Sequence, residues 1–167
     1  MERKEYEWVK ENREVLLDFC SKMDPKDFTC EMGFGWQSVR DTLVHIANCY
    51  HGWLGSFVLL KTKEPITPGE NIPTIGIEEI RTLFEQADAY VYEVLEAFSQ
   101  RMDESIVQPI PWRESTEEIS MTPRKLFMHT VTHEYHHKGQ IMAMARQLGY
   151  EPPNTDVLGT RRESRFR

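Results

Sequence analysis

Residues 121–149 read MTPRKLFMHTVTHEYHHKGQIMAMARQLG, and this stretch predicts a single long helix. Thr122 is a favourable N-cap residue, and Pro123 follows it at a position where the missing N–H costs nothing. Gly149 is a residue type that commonly ends helices. The predicted helix contains four of the six histidines of the chain, namely His129, His133, His136 and His137.

The spacing of these histidines indicates a metal site. Residues four apart lie on one face of a helix, so His133 is one turn from both His129 and His137. Two imidazoles on neighbouring turns can bind one transition-metal ion with little further loss of chain entropy. Histidines on a polar helix face are more ordinarily solvated, but four within nine residues favour metal binding if another element supplies a third ligand.

Composition limits the classes of function. The 167 residues predict one domain, residues 1–167, and 40% hydrophobic with 28% charged residues are typical of a soluble globular protein. A formal charge of −7 argues against a general nucleic-acid binder, which needs a basic face. The basic residues at the end of the sequence are interpreted as a frayed or partner-contacting tail; they are Arg161, Arg162, Arg165 and Arg167.

The compartment is expected to be the cytoplasm. The charged start of the sequence does not resemble a signal peptide, and no apolar run has membrane-spanning length. Cys20, Cys30 and Cys49 are odd in number and widely spaced, which predicts free thiols rather than a disulfide framework.

Three further helices are predicted from apolar residues at helical spacing, over about 2–22, from Ser38 toward Leu60, and over about 77–101. Segment 61–76 is rich in proline and glycine and predicts a long connection, whereas 102–121 allows at most a short hairpin. Asn154 or Thr155 could cap a last helical turn. These elements predict an all-α helical bundle, and its long connections allow crossovers.

The second predicted helix contains two candidates for the third metal ligand. Winding it at about 100° per residue gives one apolar stripe, formed by Val39, Leu43, Ile46, Tyr50, Trp53 and Phe57. His45 lies at one edge of the stripe, among small residues, and His51 lies near the other edge. Periodicity alone does not choose between them, although the small residues slightly favour His45. Cys49 follows His45 by four residues, but a buried structural thiol is the more ordinary interpretation.

Residues 133–137, HEYHH, also match the H-E-x-x-H pattern of zinc peptidases, in which the glutamate is the general base. The context does not support a peptidase, because no G-x-x-H follows His137 and no sheet is predicted to bind a peptide. Glu163 is the distant downstream carboxylate that would have to replace the third histidine ligand, and it lies in the basic tail. Glu134 is therefore interpreted as a supporting or surface residue, about 100° around the helix from His133.

Three segments together resemble a known family: LVHIANCYHGWL at 43–54, HTVTHEYHHKGQIMAMARQLG at 129–149, and PPNTD at 152–156. They are similar to the DinB/YfiT-like metalloenzymes over most of the chain. This resemblance implies a four-helix bundle with long crossover connections, commonly a homodimer, that binds a divalent metal, often zinc or nickel.

Mapped by motif, the resemblance implies that the metal ligands are His45, His133 and His137, which selects His45 over His51. His129 and His136 become supporting residues. Lys138 stands where an arginine is frequent in the family, which affects only an expected surface or supporting contact.

We therefore expect an enzyme whose metal activates a thiol or water for attack on a small electrophilic molecule. The thiol comes from the resemblance alone, since some relatives are S-transferases or isomerases that use thiols such as mycothiol or bacillithiol. The alternatives are a metal-dependent hydrolase and a non-catalytic dimer stapled by its ion, for which Cys49 or His136 could be a fourth ligand. The tryptophans Trp36, Trp53 and Trp112 are interpreted as core or interface residues. Neither nucleic acid nor membrane is an expected partner.

Overall fold

Five α-helices and one short hairpin make up most of the described chain, which covers residues 2–159 of this computed structural model. The basic tail and Glu163 lie outside the described residues. The long helices are α1 (Arg3–Cys20), α3 (Val39–Tyr50), α4 (Ile77–Ala97) and α5 (Pro123–Gln147). The short helix α2 (Pro25–Phe28) forms where the sequence predicts only a turn, and its N-cap residue Asp24 accepts a side-chain hydrogen bond from the Lys26 amide.

The capping residues predicted from the sequence lie at helix ends in the structure. Ser38 and Thr122 cap α3 and α5, because their side-chain oxygens accept hydrogen bonds from the amides of Asp41 and Lys125. Gly149 has a φ of +89°, the left-handed conformation expected just beyond a helix. Near the end of the described chain a 3-10 turn, Val157–Gly159, forms where the sequence predicts a last helical turn.

The second predicted helix changes type within its length. Its α-helical part ends at Tyr50, and residues His51–Val58 continue as a π-helix. Two glycines allow close packing here: a Cβ at Gly55 would lie 2.5 Å from the Tyr90 ring, and one at Gly52 would lie 3.2 Å from the Trp112 ring. The 100° periodicity used on the sequence cannot distinguish such a segment from an α-helix.

The prediction of an all-α fold is corrected to a mainly α fold, because 102–121 contains two strands. Strands β1 (Ile106–Pro109) and β2 (Glu118–Met121) pair antiparallel, with Ile106 opposite Met121 and Pro109 opposite Glu118. The first and third predicted helices are also shorter than expected, ending at Cys20 and Ala97.

Helix α3 lies at the centre of the core and contacts α4, α5 and the π-helix. Five residues of the apolar stripe predicted for the second helix are fully buried: Val39, Leu43, Ile46 and Tyr50 in α3, and Phe57 in the π-helix. The sixth, Trp53, is only half-buried. None of the helices among residues 2–159 combines the length and apolar character needed to cross a membrane.

Candidate metal centre

Three imidazoles from α3 and α5 converge at one point. The Nε2 atom of His133 lies 3.0 Å from Nε2 of His45 and 3.2 Å from Nε2 of His137. Two nitrogens bound to one tetrahedral zinc ion at about 2.0–2.1 Å would be separated by about 3.3–3.4 Å. The donor set therefore fits a transition-metal ion, because each of the three imidazoles offers one nitrogen and these atoms lie within 4.8 Å of one another.

The structure separates the two candidates of the second predicted helix. His45 belongs to the three-histidine cluster. His51 instead donates from Nε2 to the carbonyl oxygen of Leu83, 2.8 Å away, which holds its ring against α4. His51 is therefore a packing residue rather than a member of the cluster.

Burial keeps the three imidazoles neutral near pH 7. Desolvation is the main cause that lowers the pKa of His45 to about 4 and of His133 to about 3, with further lowering by neighbouring histidines. Desolvation also lowers the pKa of His137, although a hydrogen bond to Gln140 acts in the opposite direction. Neutral imidazole is the form that binds metals, so little proton loss is required for binding near pH 7.

Gln140 fixes the tautomer of His137. Its Oε1 accepts a hydrogen bond from Nδ1 of His137 at 2.8 Å, which leaves Nε2 of His137 as a lone-pair donor toward the cluster. The loop before α3 approaches closely at this point, because a Cβ at Gly35 would lie 2.9 Å from Gln140 Oε1. Sequence reasoning gave Gln140 no role, although its position three residues after His137 places it on the same helix face.

A cavity of about 760 Å³ adjoins His45 and His133. Trp36 stacks on the His45 ring with a centroid separation of 3.9 Å, and Trp53 meets Trp112 edge to face at 5.2 Å. All three tryptophans line this cavity, so their interpretation as ordinary core or interface residues is incomplete.

The other expected supporting residues lie around the cluster. His129 lines the cavity, with its ring centroid 5.5 Å from that of His133. His136 is exposed, and its ring centroid lies 4.9 Å from that of His137. Cys49 is in the cavity wall, and burial raises the pKa of its thiol to about 12. The three-histidine cluster includes neither Cys49 nor His136.

Glu134 is buried in an ion-pair network, so its interpretation as a surface residue is wrong. Arg13 of α1 donates to both of its carboxylate oxygens at 2.9 Å, and Tyr50 of α3 donates to Oε2 at 2.6 Å. Arg13 also donates to Asp88 of α4 at 2.6 Å. Because both oxygens of Glu134 are engaged, the glutamate of the H-E-x-x-H pattern is not free to act as a peptidase base.

Lys138 is also buried, which corrects its expected surface contact. Its ammonium group donates to Asn12 Oδ1 at 2.7 Å and to the carbonyl oxygen of Thr155. Asn12 donates to the same carbonyl at 2.6 Å. Lys138 therefore attaches the segment after α5 to α1, and it supports the fold rather than the histidine cluster.

Two comparisons show which known proteins this chain is similar to. The model of the DinB family matches residues 1–165 of this chain. The chain is also similar to the uncharacterized protein YizA of Bacillus subtilis (strain 168), with 22% identity over 155 residues that cover 93% of this chain and 91% of YizA.

Proposed function

Because this chain belongs to the DinB family, we propose that it is a metal-dependent enzyme that acts on a small electrophilic molecule. In this proposal His45, His133 and His137 hold one divalent transition-metal ion, zinc or nickel. The observation that carries it is that Nε2 of His133 lies 3.0 Å from Nε2 of His45 and 3.2 Å from Nε2 of His137, beside a cavity. An ion held there would act as a Lewis acid and lower the pKa of a thiol or water that coordinates it.

The residues around the ligands have separate tasks in this proposal. Gln140 orients the ring of His137 through the 2.8 Å hydrogen bond to Nδ1. Trp36 stacks on His45 and limits rotation of that ring. The cavity beside His45 and His133 gives a substrate room to reach the side of the cluster that the protein leaves open.

The reaction proposed first is attack by the sulfur of a low-molecular-weight thiol on an electrophilic carbon of the substrate. The carbon–sulfur bond forms as a π bond of that carbon breaks, and the atom at the far end of the π bond takes up the proton that the thiol loses. The product of an S-transferase keeps the carbon–sulfur bond. An isomerase would instead release the thiol after rearrangement. A water molecule as the nucleophile would make the protein a hydrolase, which is the alternative reaction.

The alternative without enzymatic activity is a dimer in which the ion has only a structural role and holds two helices together. The cavity favours an enzyme over this alternative, because a closed structural site has four protein ligands and no room for a substrate.

We also propose that α1, α3, α4 and α5 form a four-helix bundle within one domain, residues 1–167, and that the protein is a cytoplasmic homodimer. The Arg13 network supports the bundle, because it joins side chains from all four helices.

Metal stoichiometry tests the ligand assignment. Wild-type protein freed of metal and then exposed to excess zinc or nickel is expected to retain one equivalent after gel filtration. We expect His45→Ala and His137→Ala to retain less than about half an equivalent, since losing one of three ligands weakens binding strongly. His136→Ala is the matched control, because His136 neighbours His137 but is exposed and outside the cluster. Full retention by His137→Ala would contradict the assignment.

A further inference from the structure

The cavity beside the histidine cluster has an aromatic wall. Trp36 lies against His45, and on the other side Trp53 contacts both Trp112 and His129, with ring centroids 5.2 and 6.0 Å apart. These rings come from three separate parts of the chain and from α5, yet all of them line one cavity. Such rings offer faces and edges against which another aromatic ring can stack or pack edge to face.

The rest of the wall combines polar and apolar residues of the loop before α3 and of α3 with residues of the long connection between the π-helix and α4. Ile66, Ile72 and Pro73 of this connection contribute apolar surface to the cavity. The volume of about 760 Å³ is within the range of about 300–1,000 Å³ that is typical of small-molecule sites. The connection thus encloses space that is larger than a water or a small inorganic anion requires.

The charged residues of the wall cancel one another. Arg40 donates from Nε to Asp41 at 2.8 Å, so these two charges are paired. The other charged lining residues, Glu31 and Arg113, have opposite signs. The side chains of the wall therefore have no net charge that would favour either an anionic or a cationic group, and the polar Asn48 already accepts hydrogen bonds from Thr67. The aromatic rings are the largest apolar side chains of the wall, so the hydrophobic effect and ring packing are the expected sources of affinity.

We infer that this cavity binds the uncharged aromatic group of a small molecule whose donor atom coordinates the ion. The inference rests on the proposed metal site, and it adds the chemical class of the substrate or co-substrate. The aromatic group lies between the tryptophans and the long connection, while its donor atom faces His45 and His133. Substrates with the same donor atom but no ring lose the contacts with Trp36, Trp53 and Trp112.

Two hydroxamates separate the ring from the metal-binding head. Benzohydroxamate and acetohydroxamate carry the same chelating group, and only the first has an aromatic ring. Isothermal titration calorimetry of the zinc-loaded protein is expected to show that benzohydroxamate binds at least about tenfold more tightly, because burial of a ring among aromatic side chains is strongly favourable. Equal affinities would overturn this inference while leaving the metal site intact.

The same titrations distinguish a failure of the proposed metal site from a failure of the inference about the aromatic group. If neither hydroxamate binds to protein that retains zinc, the ion has no open position, and both the proposed function and this inference are wrong. If benzohydroxamate binds equally well without metal, the ring is not positioned by a coordinated donor atom, which also overturns the inference. A third probe, 4-carboxybenzohydroxamate, is expected to bind no more tightly than benzohydroxamate, and tighter binding would contradict the uncharged character of the group.

Variants locate the ring in the cavity. Trp112→Leu and Trp36→Leu should reduce the ratio of the two dissociation constants at least about threefold, since each removes one aromatic partner. Both variants are first checked for zinc stoichiometry, and the ratio corrects for any intrinsic difference between the two chelators. Trp8→Leu is the matched control, because Trp8 lies on α1 and does not line the cavity. An unchanged ratio in folded, zinc-loaded Trp112→Leu and Trp36→Leu would overturn the inference.

Discussion

At the scale of single residues, the proposed centre depends on side chains that do not bind the ion themselves. Nε2 of His137 is available to the cluster because Gln140 holds the proton on Nδ1 at a hydrogen-bond distance of 2.8 Å. Gly35 makes room for Gln140, since a Cβ there would lie 2.9 Å from Oε1. Partners that orient a ligating histidine commonly contribute about 10–100-fold to metal affinity.

Replacing Gln140 should therefore weaken metal binding without removing a ligand. We expect Gln140→Leu to raise the zinc dissociation constant about 10–100-fold, because the His137 ring loses its fixed tautomer and orientation. Competition with a chromophoric chelator measures this constant. Gln147→Leu, at the exposed end of the same helix, is the matched control. Equal affinities of the two variants would mean that Gln140 does not position His137.

Part of this centre could be predicted from single residues. The i, i+4 spacing of His133 and His137 identifies two members directly, because helix geometry relates neighbouring turns. Spacing could not choose between His45 and His51, since both flank one apolar stripe and only tertiary packing directs the second toward Leu83. Gln140 has a residue type that gives no metal signal on its own.

At the scale of elements, the π-helix His51–Val58 packs closely against α4. Gly55 lies against the Tyr90 ring of α4, where a Cβ would be only 2.5 Å from the ring. This segment also carries Trp53 to the cavity wall. The close approach of the backbone therefore positions one side of the proposed binding cavity.

Two glycine substitutions with opposite expected effects on the free energy of unfolding test this packing. Gly55→Ala is expected to lower the free energy of unfolding by about 1–3 kcal/mol, because the added methyl group overpacks a buried contact. Gly139→Ala, in α5 with no atom within 4 Å of the added Cβ, should raise it by about 0.5–1 kcal/mol through helix propensity. Urea denaturation of metal-free protein measures both. A neutral Gly55→Ala would show that the two segments do not pack this closely.

The start of α3 and both ends of α5 were predictable because they depend on nearest neighbours in sequence. Ser38, Thr122 and Gly149 act through contacts within a few residues, which sequence patterns describe well. The change to a π-helix depends on packing partners far away in sequence, such as Tyr90, and the strands of the hairpin are only four residues long. Neither leaves a strong local pattern.

At the scale of the whole molecule, one buried arginine joins the four long helices. Arg13 is 1% exposed and bridges Glu134 and Asp88, while Tyr50 and Tyr6 each donate 2.6 Å hydrogen bonds to one of these carboxylates. Glu134 is the sequence neighbour of His133, so the network also restrains the face of α5 that presents the cluster. Arg13 and Glu134 are separated by 121 positions, and no sequence pattern links them.

Loss of Arg13 should be far more costly than loss of a surface arginine. Arg13→Met is expected to lower the free energy of unfolding by about 3–5 kcal/mol, because two buried carboxylates lose their main counter-charge. Arg81→Met is the matched control, and its surface pairs with Glu14 and Asp18 should contribute no more than about 1 kcal/mol. Similar losses in the two variants, measured by urea denaturation, would contradict a buried network.

Acid should destabilise the metal-free protein through its histidines. The folded-state pKa values of His45, His133 and His137 lie below the unfolded value of 6.5, so the unfolded state binds more protons as the pH falls. Stability is therefore fully present above about pH 7 and decreases as the pH falls from 6.5 toward 4. Urea midpoints measured across this range should decrease, and less steeply in His133→Asn than in wild type. A flat profile in wild type would contradict the burial of neutral imidazoles.

The central claim is that three imidazoles hold one ion and leave a coordination position open to the cavity. X-ray absorption spectroscopy of the zinc-loaded protein, in buffer without chelating components, measures the ligand set directly. We expect three imidazole nitrogens at about 2.0–2.1 Å from the zinc ion and one further oxygen donor from solvent. A sulfur scatterer at about 2.3 Å, or a fourth imidazole, would contradict it, because the site would then be closed and structural.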